Sequence, residues 1–406
     1  MNDNAALEQV PQKRTHTPKI IMLDLIETLK SLVRLDSRTT HPIDWPGPIE
    51  ANEEQVAAFI RPILEEMGFA IEVQYAAPHR PNMIAFRGKG GRPAFGLTAH
   101  MDTVGVEGMK IPPFQPDIKD GCLYGRGSCD TKASLAAMLV ACQRIIQEGI
   151  DTDLIFMACA SEESGCQGSR VVELSKYNCG GFIVGEPTSC CPVVGHKMHA
   201  TVEFICRGKS SHGSRPECGV NAITRAGSFL EFLQNEIVPY YNSIQNPLYE
   251  RGCTFSPTMI SGGTKSNIIP DACSITCDMR LLPEAGSFED NIKMIADKAQ
   301  AALGFPIEIG YAYAAFSLKS SLDGCFVSSV CSAVSACGGD ATPLTVAYGT
   351  DAGCLSNKGY DCVVLGPGDI KQAHSAVEYV PIAEVHKAVE IYTEAARQYA
   401  SKINNG

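Results

Sequence analysis

The stretch Phe95-Gly-Leu-Thr-Ala-His100-Met-Asp102-Thr-Val104 decides how this chain is read. It is a short apolar run of strand character that ends abruptly in polar residues. Side chains two apart on a strand point to the same side, so His100 and Asp102 are expected on one face. There the carboxylate accepts the second imidazole N–H and fixes the tautomer that leaves the other ring nitrogen free for a metal. Taken alone, a His-x-Asp also fits a satisfied pair near a strand end. The rest of the chain has to choose between the two.

Two further runs resemble the first. Asp153-Leu-Ile-Phe-Met-Ala-Cys-Ala160 is almost wholly apolar and ends in Ser161-Glu162-Glu163-Ser164-Gly165. Gly181-Phe-Ile-Val-Gly185 ends in Glu186-Pro187-Thr188. Helical spacing lies between them and before them. Leu135, Met138, Leu139, Cys142, Ile145 and Ile146 keep it up to Gly149, and Val56, Phe59, Ile60, Ile63, Leu64 and Met67 keep it up to Gly68. Another helix is expected from Pro18 to Val33, then a loop from Asp36 to Ile49, with strands at Ile71 to Tyr75 and Asn82 to Phe86. Unbroken apolar strands separated by helices predict a sheet that is mixed and mostly parallel, with helices on both faces. Ligands of such sheets bind beyond the carboxyl ends of the strands. His100, Asp102, Glu162, Glu163 and Glu186 all fall there, at three different strand ends.

Asp130 sits where the loop Gly121-Cys-Leu-Tyr-Gly125-Arg-Gly127-Ser-Cys-Asp130 enters a helix. It reads either as an N-cap or as a ligand. The pattern changes near His199. Strands at Val202 to Cys206, Thr254 to Ile260, Cys273 to Leu281 and Ile307 to Tyr313, with helices at Asn221 to Ile237 and Phe288 to Ala302, give the order strand–helix–strand–strand–helix–strand. That order suits a small ferredoxin-like α+β unit with helices on one face, inserted as residues 197–312 between the two parts of the first domain, 1–196 and 313–406. The second part carries the strand Asp361 to Leu365, a break at Gly366-Pro-Gly368, then His374 and a last helix from Ile382 to Tyr399.

Bulk composition narrows the class. At 406 residues the chain is too long for one ordinary core. Its formal net charge is −11, from 34 basic and 45 acidic residues, with no basic stripe; nucleic acid is not expected as a partner. No apolar run approaches the roughly 20 residues that span a bilayer. Met1 to Thr17 is polar, without the apolar core of a secretory signal, and reads as a loose arm. The 18 cysteines include no Cys-x-x-Cys pair, and a chain this long needs no staples, so a reduced, cytoplasmic protein is expected. Cys142, Cys159 and Cys362 read as small buried hydrophobes. Cys129 stands apart because it precedes Asp130.

Collected together, His100, Asp130, Glu163, Glu186 and His374 offer two imidazoles and three carboxylates. That set suits zinc or cobalt, or manganese, better than magnesium or calcium. If Asp130 bridges, His100 and Glu186 complete one site, Glu163 and His374 the other, and a shared water lies between: the layout of a two-metal hydrolase. Adjacent residues at a strand end diverge, so Glu162 is free to act as general base and then as acid to a leaving nitrogen. A solvated Glu-Glu turn is the plain alternative.

With these motifs in order, the chain resembles the dinuclear zinc aminoacylase and carboxypeptidase family that includes acetylornithine deacetylase and succinyl-diaminopimelate desuccinylase. His100-Met-Asp102-Thr-Val, Gly125-Arg-Gly127-Ser-Cys-Asp130-Thr-Lys, Glu162-Glu163-Ser-Gly, Gly185-Glu186-Pro-Thr and His374 carry the resemblance, which spans about residues 20 to 400. It implies two zinc ions per subunit, with cobalt as a substitute, a bridging Asp130, a catalytic Glu162 with Asp102 beside it, and a non-proline cis peptide after Asp130. It also implies that the insertion is a lid that makes a homodimer, and that His212, in Gly208-Lys-Ser-Ser211-His212-Gly, reaches a neighbouring subunit's site to polarise the scissile carbonyl. Asn267, Arg280 and Thr350 match substrate-holding positions of the family, although a structural salt bridge is the alternative for Arg280. Gly366-Pro-Gly-Asp-Ile-Lys-Gln-Ala-His374 with Glu378-Tyr-Val, and Val193-Val-Gly-His196-Lys, look most like acetylornithine deacetylases. The substrate this implies is a small N-acyl amino acid, N2-acetylornithine first, a succinylated diaminopimelate second, and a general acyl amino acid or dipeptide third. Ser128-Cys129 and Lys132-Ala-Ser depart from many relatives.

Overall fold

The computed structural model of the chain describes residues 22–39 and 53–405. Strand Ala94–His100 is buried at every position, as an apolar run without polar alternation requires. It lies inside a nine-stranded sheet. The order is Ala70–Ala77, Arg80–Arg87, Leu154–Cys159, Ala94–His100, Cys179–Val184, Cys362–Val364, Val193–His196 and Leu318–Lys319, with Leu344–Val346 also on Val193–His196. The four central strands run parallel, and antiparallel pairs lie toward both edges. Gly96 is a glycine because a Cβ there would collide with the Gly181 carbonyl and the Phe182 ring of the neighbouring strand.

Register does the positioning. His100 lies opposite Cys159 and Thr98 opposite Val184, so three parallel strands end at one level. The polar residues that follow each of them meet along a single edge.

Helices Leu25–Arg34, Glu54–Glu66, Lys132–Gln147, Cys325–Ala336 and Ile382–Asn405 build the layer on one face, around Leu29, Ile60, Phe95, Leu135, Phe326 and Tyr392. The short helices Gln167–Val171 and Asp351–Asn357 lie on the other face, whose core holds Met157, Phe182 and Leu355. Leu25–Arg34 starts later than its apolar spacing predicts because the Asp24 carboxylate accepts the N–H groups of Ile26 and Glu27 and caps it there. Residues 18–21 of that expected helix, the arm at 1–17 and most of the expected loop at 36–49 fall outside the described residues.

A second, antiparallel sheet holds Thr254–Gly262, Ala272–Leu281, Met198–Arg207 and Ile307–Ala314 in that order. Along its two central strands, buried and half-buried residues alternate, the mark of a sheet covered on one face. Helices Ala222–Phe232 and Phe288–Leu303 contribute to that cover, and Phe204, Phe229, Tyr241, Ile275 and Ile295 form a core that shares no residue with the first. The helix expected at 221–237 passes through a π-helical stretch, Leu233–Ile237, and continues as Val238–Ser243. A three-stranded sheet of Asp117–Lys119, Cys122–Tyr124 and Tyr379–Pro381 was not expected; strands of three residues are too short to show a period. No described helix is long and apolar enough to cross a membrane.

Candidate metal centre

Asp130 is the middle of the site. Helix Lys132–Gln147 begins without a side-chain cap, so the capping alternative for Asp130 is not taken. Its carboxylate instead divides between two histidines. Oδ1 lies 3.1 Å from His100 Nε2 and Oδ2 lies 3.4 Å from His374 Nε2. His100 Nε2 is also 3.9 Å from Glu186 Oε1, and His374 Nε2 is 2.9 Å from Glu163 Oε2. Two histidine–carboxylate pairs therefore flank one central carboxylate. One ligand atom from each of His100, Asp130 and Glu163 lies within 4.8 Å of the others. The Asp130–Thr131 peptide is cis.

The loop that presents Asp130 is held from behind. Glu378, fully buried, accepts the N–H groups of Gly127 (3.1 Å), Cys129 (3.0 Å) and Asp130 (3.0 Å) and pairs with Arg126 at 2.6 Å. Cys129 is buried, with its thiol 3.6 Å from the Asp369 carbonyl.

The His100 and Asp102 side chains meet as expected, although the strand itself ends at His100 and Asp102 stands just beyond it. The closer partner of His100 Nδ1 is the backbone carbonyl of Asp102 at 2.9 Å, with the Asp102 carboxylate at 3.4 Å. Either contact leaves Nε2 facing Asp130. The Asp102 carboxylate also accepts the N–H groups of Glu162 (3.0 Å) and Glu163 (3.1 Å) and the Thr39 hydroxyl (2.9 Å). Those two glutamates diverge beyond Ser161, whose φ of 57° turns the chain sharply. Glu163 goes to His374, while Glu162 Oε1 accepts from the Cys166 thiol at 3.6 Å.

Electrostatics favour a cation here. Burial, with Asp130 close by, raises the Glu163 carboxyl to about 7. Burial also pushes Glu162 and Glu186 well above the usual carboxylate range. Burial acts the same way on Asp130, yet its hydrogen bonds to the two histidines hold it below that range. Bonds to Asp130 and Glu163 lift His374 to about 10. Among the described residues, buried Glu163 Oε1 has no hydrogen-bond partner; it is an acceptor that a cation or water would satisfy. Buried carboxylates with so little compensating charge are the donors expected around divalent ions, and the residues present fit a metal.

The other expected site residues lie elsewhere. His212 is exposed and bonded to the Ser214 hydroxyl at 2.8 Å; it pairs with Ile268 in a two-residue ladder beside Asn267, whose carbonyl accepts from Gly213. Arg280 grips Asp278 through Nε and Nη2 at 3.1 and 3.2 Å, the salt-bridge alternative. Among the described residues, no hydrogen bond or ion pair joins these three to the centre. Thr350 lies deeper. It is 2% exposed, its hydroxyl caps helix Asp351–Asn357 by accepting from Ala352, and it lies 3.2 Å from His196 Nε2. Glu53, Arg80 and Thr39 went unnoticed in the sequence, where Glu53 resembles any residue before a helix. Glu378 stood only among the residues carrying the family likeness, with nothing to show that it clasps a distant loop.

The profile of Peptidase family M20/M25/M40 matches residues 96–398. A Myxococcus xanthus protein named "Acetylornithine deacetylase" is 29% identical over 385 residues, covering 92% of this chain and 96% of its own length. A Staphylococcus aureus protein named "Probable succinyl-diaminopimelate desuccinylase" is 27% identical over 386 residues, covering 86% and 93%. Among solved structures, the aminopeptidase PepT of Bacillus cereus superposes with a TM-score of 0.73 at 23% identity, over 93% of this chain and 98% of that one. The Bacillus subtilis YxeP protein, described as a dinuclear metal binding peptidase, superposes with a TM-score of 0.66 at 17% identity, over 94% and 98%.

Proposed function

The chain belongs to peptidase family M20/M25/M40, a metal-dependent hydrolase family, and on that premise we propose that it removes the acetyl group of N2-acetyl-L-ornithine, giving L-ornithine and acetate. The observation that carries the reading is the central Asp130 carboxylate, with His100 and Glu186 on one side and His374 and Glu163 on the other. Two divalent ions, zinc or cobalt, held by these five residues would polarise the amide carbonyl and make a coordinated water acidic.

The protein's own groups do the rest. Glu162, its carboxyl raised by burial, takes a proton from the attacking water and returns it to the departing amine nitrogen, so one water is consumed and the C–N bond breaks. Asp102 fixes His100 and the backbone of the Glu162–Glu163 turn. Residues 197–312 serve as the lid and pair two copies, between the two parts of the catalytic domain at 1–196 and 313–406, so that His212 of the partner subunit supplies a donor to the carbonyl. Asn267 and Arg280 hold the substrate carboxylate, for which a planar guanidinium is suited; Arg280 is only 34% exposed on its side chain and must exchange Asp278 for the ligand.

The likeness to the deacetylase at 29% supports the acetyl substrate, and that to the desuccinylase at 27% makes desuccinylation the second reading. Initial rates on acetylornithine, succinyl-diaminopimelate and acetylmethionine separate them. Acetylornithine is expected to lead by at least about tenfold in kcat/KM. A lead for the succinyl compound reassigns the acyl group, and no turnover of any of the three after zinc loading rejects the proposal.

A further inference from the structure

The centre rests on a second buried layer, led by Glu53 and Arg80. Glu53 stands just before helix Glu54–Glu66, and Arg80 opens strand Arg80–Arg87. Both are buried, at 0% and 2% exposure. Glu53 Oε1 accepts from the Ser161 N–H (3.0 Å), the Ser161 hydroxyl (3.3 Å) and Arg80 Nη1 (3.0 Å). The same Nη1 donates to Thr39 Oγ1 at 2.8 Å, and Thr39 Oγ1 donates to Asp102 Oδ2 at 2.9 Å. Asp102 then accepts the next two amides, those of Glu162 and Glu163. Three consecutive N–H groups, at residues 161, 162 and 163, therefore end on two buried carboxylates linked through Arg80 and Thr39.

This arrangement answers a local need. Ser161 has left the strand and sits at a positive φ, where no sheet ladder serves its amide. A buried amide left unbonded is costly. The peptide orientation at 161–163 also sets the directions in which Glu162 and Glu163 diverge, and misplacement of a reacting group by about 1 Å can cost about 10²-fold in rate.

We propose that Glu53 and Arg80 are positioning residues that, through Ser161 and through the Thr39–Asp102 relay, aim Glu162 and Glu163. The inference rests on the two-metal hydrolase reading for its rate consequence, but not for its backbone consequence, and the test uses both. Zinc-loaded Glu53→Ala and Glu53→Gln are compared with the parent chain for bound zinc, kcat, KM and hydrogen exchange across residues 159–166. Glu53→Ala is expected to keep its zinc and its KM, to lose about 10- to 100-fold in kcat, and to exchange the 159–166 amides at least about tenfold faster. Glu53→Gln keeps an acceptor for Ser161 and Arg80 and restores most of both, which a residue needed only for its charge in the fold would not do.

Unchanged exchange in Glu53→Ala, a Gln variant as impaired as the Ala variant, or a rate loss that tracks loss of zinc each overturns the inference. Should Glu53→Ala fail to fold, Thr39→Val takes its place. It cuts the relay to Asp102 and is expected to lower kcat about tenfold with faster exchange, and a parent-like result overturns the inference. A parent chain that hydrolyses none of the three acyl amino acids removes the activity reading alone, and the exchange result still decides the role of Glu53.

Discussion

His196 is buried beside Thr350 with no carboxylate paired to it among the described residues, and burial lowers its pKa from 6.5 to about 4, only partly opposed by the Lys197 carbonyl. The unfolded chain therefore takes up this proton before the folded one does. The stabilisation is complete above about pH 6.5 and is lost as pH falls through 4, worth roughly 3 kcal/mol. His196→Gln is expected to lose less stability than the parent between pH 7.5 and pH 5 in urea titrations; equal losses would show that His196 is not held neutral. Glu162 calls for a different measurement. Glu162→Gln removes the proton acceptor and spares every donor to the metals, so zinc content should stay at the parent level while turnover falls at least about 10²-fold. Turnover near the parent value would assign the base elsewhere. His100, Asp102, Asp130, Glu162, Glu163 and Glu186 were legible as residues because each follows an apolar strand or opens a helix. Thr350 was placed by family likeness alone, which carries no information about which way its side chain turns.

At the scale of elements, the loop Gly125–Asp130 lies outside any strand or helix and has three of its amides accepted by a carboxylate arriving from about 250 residues away, 248 for Asp130. Glu378→Ala would orphan three amides and leave Arg126 charged and buried. A loss of about 3–5 kcal/mol is expected, with weaker zinc retention, measured by denaturant titration and metal analysis. A change below about 1 kcal/mol with metal kept would mean the loop holds its own shape. The strand that delivers Glu378, Tyr379–Pro381, has three residues. Hydrophobic period cannot show over such a length, whereas the seven buried positions of Ala94–His100 make that strand plain. Long elements were therefore readable, and the short ones that brace the site were not.

For the whole molecule, the buried carboxylates of Asp130, Glu162, Glu163 and Glu186 repel one another unless cations lie between them. Chelation should lower the melting temperature, since each ion present at 100 times its Kd adds about 2.7 kcal/mol to the folded state; a melting curve indifferent to chelator would count against a resident metal. If residues 197–312 pair two copies as proposed, each inactive alone, His212→Ala and Glu162→Gln subunits should complement each other. Mixed dimers would contain one site with both groups intact, and about a quarter of parental activity should return after subunit exchange. No recovery despite exchange would place His212 outside the neighbour's site.

The sequence by itself determined which residues are candidate ligands and which strands they follow, because apolar runs and their polar ends are local properties of the chain. Only the tertiary structure decided that His100 and His374 share one carboxylate, that the Asp102 carboxylate serves the Glu162–Glu163 backbone as well as the His100 ring, and that Glu53 and Glu378 stand behind the site. Those facts rest on the level ends of parallel strands and on buried donors finding acceptors far away along the chain. Distance in sequence says nothing about either.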